Sequence, residues 1–146
     1  MLDNLKEQYK EIQNPKGYLT SCFLMCDFKD INNEKWQFNF YNNDKITSYK
    51  DNKIIEKDAE VHKKKGEKLK ELDLEEIKIT PKEAINKAKE EIKVGEPNKI
   101  IIVIQNKIYN ITFLTNAMRL INIKLLASDN TIIETKEENL LNLQSQ

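Results

Sequence analysis

The chain has little of what most enzymes and nucleotide-binding proteins are built from. One histidine occurs, His62, so a His-Glu-x-x-His metal site or a second imidazole ligand is excluded. It stands in a charged stretch beside Lys63, Lys64 and Lys65, where it reads as a surface residue rather than a base, ligand or pH switch. Three glycines leave no glycine-rich phosphate loop, which removes Walker- and Rossmann-type nucleotide binding. The two cysteines, Cys22 and Cys26, lie four apart in what reads as one strand. That spacing puts them about 13 Å apart, too far for a disulfide, and no second Cys or His pair completes a zinc site. Two free thiols suit a reducing compartment, or an extracytoplasmic protein with no need of a bridge. An excess of one charge is also missing: Lys+Arg and Asp+Glu each number 24, which argues against a nucleic-acid partner. No apolar run approaches the ~20 residues of a membrane span. Met1 leads into the acidic-basic stretch Leu2 to Glu7 and not into a signal peptide. The sequence as given therefore reads as cytoplasmic, and as extracytoplasmic if an N-terminal anchor has been removed.

What is present is a strong structural signal over Thr80 to Glu134. Thr80-Pro81-Lys82-Glu83 predicts a helix start, with Thr80 and Glu83 as a capping box and Pro81 where its missing N–H costs nothing. Ala84, Ile85, Ala88 and Ile92 form one stripe at helical spacing, and Gly95 and Pro97 end it. The run Ile100 to Ile104 predicts a strand covered on both faces. Tyr109, Ile111 and Phe113 alternate with polar residues in a half-buried strand, and Ile121, Ile123, Leu125 and Ala127 share one face of the next. Asn130 is the expected positive-φ residue of the turn that follows.

The first half follows a similar order. Leu2, Leu5, Tyr9 and Ile12 predict a helix ended by Asn14-Pro15-Lys16-Gly17. Tyr18 to Phe28 predicts a strand with both faces covered. Trp36, Phe38 and Phe40 alternate into the hairpin turn Asn42-Asn43-Asp44, and Ile46 to Tyr49 returns. The aromatic stripe could be a stacking platform for single-stranded nucleic acid, but without basic excess it reads as core. Tyr41 and Tyr49 are expected on the other face, as the candidate residues for a partner contact. The hexapeptides Asp51-Asn52-Lys53-Ile54-Ile55-Glu56 and Asp129-Asn130-Thr131-Ile132-Ile133-Glu134 differ at one position. Together with the matching order of elements, they predict a tandem repeat. The fold class expected is α+β, two units of a helix plus a three-stranded antiparallel sheet. The units span 1–57 and 77–146, joined by a charged linker over 58–76.

Ile79-Thr80-Pro81-Lys82-Glu83-Ala84-Ile85, then Tyr109-Asn110-Ile111-Thr112-Phe113 and Ile121-Asn122-Ile123 through Ile132-Ile133, resembles a PepSY domain. Leu126 stands where that family has aspartate, and Asn130 where it has glycine. The resemblance implies association with the cell envelope and restraint of a peptidase.

The residues carry no catalytic constellation, no metal site and no cofactor site. The function expected is a non-catalytic binding or regulatory module that engages a protein partner through a sheet face or edge. This reading allows a homodimer. The alternatives are a cone-shaped α+β domain wrapping a small molecule, and a structural or assembly role.

Overall fold

Hairpins build this protein, and their turns come from asparagine, aspartate and lysine rather than glycine. In the computed structural model, which describes residues 2–60 and 69–141, both residues of Asn43-Asp44, Asp51-Asn52 and Asn106-Lys107 have positive φ. This is the turn geometry whose twist matches that of paired strands. The first two turns join β2 (Gln37–Asn42), β3 (Lys45–Lys50) and β4 (Lys53–Glu60). The third joins β5 (Pro97–Gln105) to β6 (Ile108–Thr115). Longer turns lead on to β7 (Arg119–Leu126) and β8 (Ile132–Asn139), the latter with Asn130 at φ 69°. With β1 (Tyr18–Asp27), these form one eight-stranded antiparallel sheet in the order β4-β3-β2-β1-β5-β6-β7-β8. His62 and Lys63 to Lys65 lie outside the described residues.

One face of the sheet is covered. Leu19, Cys22, Leu24, Phe38, Phe40, Ile100, Ile102, Ile104, Tyr109, Ile111, Phe113, Ile121, Ile123 and Leu125 are all buried there. A short helix α1 (Leu5–Lys10) lies over β2, with the Tyr9 ring 5.9 Å from Phe38 and 6.1 Å from Phe40. The main helix, α2 (Pro81–Lys89), packs on β6 and β7. Between them the chain crosses irregularly, burying Leu72, Leu74 and Ile77. The Thr80 capping box forms as expected, with the Glu83 amide donating to Thr80 Oγ1 at 3.1 Å and the Thr80 amide to Glu83 Oε1 at 3.0 Å. The Lys82 amide at the same terminus donates to Asp3 Oδ1 at 3.0 Å, so the N-terminal segment is tied to α2.

The α+β expectation is therefore corrected. The architecture is mainly β, with one continuous sheet and one well-developed helix, and not two repeated units of a helix plus three strands. The β1–β5 pair, from Ser21↔Gln105 to Asp27↔Lys99, fuses the two halves. Each half has four strands, because β4 and β8 are outermost strands with charged, exposed side chains. Such strands lack the hydrophobic alternation that marks a strand in sequence. The matching hexapeptides do not make equivalent turns either. Asp51-Asn52 is a two-residue turn at positive φ throughout, whereas in the second copy only Asn130 is left-handed.

Ala84 and Ala88 are completely buried at the seam between α2 and the sheet. Ala88→Leu is expected to overpack this seam and cost about 1–3 kcal/mol. Lys87→Ala, one position round, should stay within about 0.5 kcal/mol. Urea midpoints of the two variants check the orientation of the helix.

Candidate functional site: the uncovered face of the sheet

Register decides which side chains reach the second face. The pairs Phe23↔Val103 and Met25↔Ile101 set four apolar side chains side by side on the central strands β1 and β5. On β6, Leu114 lies diagonal to Ile101 and directly opposite Leu120 of β7. No described element covers this band. Met25 is 59% exposed at its centre, while Phe23, Ile101, Val103, Leu114 and Leu120 are partly shielded by one another.

Polar ladders flank the band and satisfy themselves. On one side Ser48 Oγ and Gln37 Nε2 donate to Asn39 Oδ1 at 2.6 and 2.9 Å, and Asn39 Nδ2 donates to Ser21 Oγ at 2.9 Å. On the other, Asn122 Nδ2 donates to Thr112 Oγ1 at 2.8 Å and to Asn110 Oδ1. Charges border the band at its ends, where Asp27 faces Lys99 across β1 and β5 and Lys124 faces Asn110 across β6 and β7. They continue further out, where Lys136 pairs with Glu134 at 3.0 Å and Lys50 with Glu34 at 2.9 Å. The Lys50 contact holds the Glu34 carboxyl below its ordinary range. A shallow groove of about 560 Å³ adjoins the band, walled by Leu69 and Lys70 and floored by Val103, Ile108 and Asn110. The arrangement is that of an interface: an uncharged apolar centre, a hydrogen-bonded polar surround and a charged rim.

The two tyrosines are not brought together. Tyr41 is 5% exposed, its ring 5.5 Å from Tyr18 and its hydroxyl bonded to the Asp44 carboxylate. Tyr49 is opposite Phe38 and so lies on the covered face, half-buried with its ring edge-on to Phe40 at 5.4 Å. The cysteines are poor nucleophiles. Complete burial pushes the Cys22 thiol far above its usual range. Burial, aided by Glu34, Asp30 and Asp27, raises Cys26 to about 11. Both are protonated near neutral pH. Among the described residues, no three His, Cys, Asp or Glu side chains gather as a metal site, and no helix is long and apolar enough to cross a membrane.

Sequence reasoning passed over Met25 and its neighbours because strands apolar on both sides read as strands covered on both sides. The signal was nevertheless present. β1 and β5 are apolar at odd and even positions alike, while β6 places Asn110 and Thr112 on its second face. A half-polar neighbour indicates a face that meets water.

No protein-family model matches the chain, and no match is found among curated proteins, so the PepSY resemblance rests on its residues alone. Among solved structures, the fold is similar to that of a provisionally designated lipoprotein from Clostridium difficile 630. The two share 18% identity and a TM-score of 0.55 over 91% of this chain and 87% of the other. At that identity the likeness is one of fold.

Proposed function

We propose that this protein is a non-catalytic binding module that holds a partner protein on the uncovered face of its sheet. The observation that carries the reading is Met25, half-exposed amid Phe23, Ile101 and Val103 on the two central strands. An apolar centre of this kind gains most when a partner removes it from water, and methionine adapts its shape to the surface it meets. The small-molecule alternative calls for polar groups directed into an unfilled interior. The covered side is instead filled by aliphatic and aromatic side chains, which supports the module.

The test is a photo-crosslinking residue placed at position 25, with a control at the exposed Asn86 on the opposite side of the molecule. Crosslinks formed in the cells the protein comes from should capture a protein at 25 and not at 86. Binding of that protein, purified, should weaken about tenfold or more on Met25→Glu, the loss expected of a central contact. Stability should change by no more than about 0.5 kcal/mol. Unchanged affinity in Met25→Glu would overturn the proposal.

A further inference from the structure

We infer that the hexapeptide found at both ends of the sheet guards its edges, closing β4 and β8 to strand addition and leaving the face as the route to a partner. β4 and β8 end the sheet, and among the described residues no strand pairs with their outer sides. An unpaired edge is a template for another strand, and a bulge that bends and twists it is one way to blunt it. Both edges carry such a bulge at the same residue of the hexapeptide. In β4, Tyr49 pairs with Ile54 and Ser48 with Glu56, so Ile55 is surplus. In β8, Leu125 pairs with Ile132 and Lys124 with Glu134, so Ile133 is surplus. Ile55 and Ile133 are the second isoleucines of Asp-Asn-x-Ile-Ile-Glu.

Their side chains add little packing in return, being 52% and 49% exposed. β4 has a further irregularity opposite Ile46 to Ser48, where Asp58 takes φ 55° and its amide donates to the side-chain Oγ1 of Thr47 at 3.2 Å. The rest of β8 is lined by Glu134, Lys136, Glu137 and Glu138, charges that also resist an incoming strand. The hexapeptide match thus encodes a local device at each edge. That the partner takes the face rests on the function proposed above; the guard itself does not.

The experiment deletes Ile133, and separately Ile55, which removes the surplus residue while keeping the flanking pairs. Light scattering after size exclusion, from micromolar to millimolar protein, reads the mass, and hydrogen exchange reads the outer amides. The wild type and Ile133→Ala, which keeps the bulge, should stay monomeric with unprotected outer amides on β4 and β8. The deletion variants should at least double in mass and gain protection on the freed edge. Natively folded deletion variants that remain monomeric would overturn the inference. So would wild-type protein whose outer edge amides become protected as concentration rises, a measurement that decides the matter even if a deletion fails to fold. Neither result bears on capture at position 25, so the two proposals fail separately.

Discussion

Trp36→Ala should destabilise the protein by about 3–5 kcal/mol, the range for deleting a buried aromatic ring and leaving a cavity. Trp36 is wholly inaccessible, just ahead of β2 and in phase with the buried Phe38 and Phe40. Its indole N–H donates to the Leu2 carbonyl at 2.8 Å, and its backbone amide donates to Gln8 Oε1 at 2.9 Å. One residue therefore holds the N-terminal segment on the sheet both by packing and through hydrogen bonds. Trp36→Phe separates the two contributions, since it keeps most of the apolar body and strands the Leu2 carbonyl. Its expected cost is about 1–3 kcal/mol. Urea unfolding followed by far-ultraviolet circular dichroism measures both, because Trp36 is the only tryptophan. Equal losses in the two variants would show that the hydrogen bond, and not the ring, anchors the segment.

The parts of the fold legible in sequence are those where local chemistry and burial agree. Thr80, Pro81 and Glu83 announce α2 because their side chains satisfy its first amides whatever lies around them. Tyr109, Ile111 and Phe113 announce β6 because one side of that strand is dry and the other wet. β4 and β8 escape notice since, apart from Ile132 against the core, most of their side chains meet water on both sides, leaving no period to read. Leu72 and Leu74 likewise show no period, because the chain that buries them crosses the helical layer irregularly. The fusion of the halves through β1 and β5 is a long-range pairing, and no short stretch encodes it.

For the candidate site the decisive quantity is parity. A two-residue turn makes paired positions across a hairpin sum to an odd number, as Phe38↔Tyr49 and Tyr41↔Ile46 do. Tyr41 and Tyr49, both odd, must therefore lie on opposite faces. The turn Asn43-Asp44 already implied this. On the central strands parity separates Cys22 and Leu24 from Phe23 and Met25, but periodicity alone does not tell which set another layer covers. That information resides in the neighbours, whose polar second faces give it away.

Gly17→Ala is the substitution for which geometry predicts the sharpest penalty from a single methyl group. Gly17 follows α1 and precedes β1 with φ +83°, a conformation that side chains rarely adopt. A Cβ there would sit 2.0 Å from the Tyr41 carbonyl oxygen and 2.8 Å from Asn42 Cβ. The first is a backbone atom at the Tyr18↔Tyr41 end of the β1–β2 ladder, so it can move aside only if that pairing opens. Left-handed strain and overpacking together set the expected loss at about 2–5 kcal/mol. Gly95→Ala is the matched comparison, since Gly95 has φ +86° but its obstacles, Asn116 Oδ1 at 2.8 Å, Ala117 Cβ at 2.9 Å and the Ala117 amide nitrogen at 3.2 Å, belong to the turn between β6 and β7. No contact there is as close as 2.0 Å, and a turn can shift by a few tenths of an ångström where a carbonyl in a strand ladder cannot, so Gly95→Ala should cost less. Denaturant midpoints rank the two. Should Gly17→Ala match or exceed the stability of Gly95→Ala, the close approach of this turn to β2 is wrong, and with it the junction that sets Tyr18 against Tyr41.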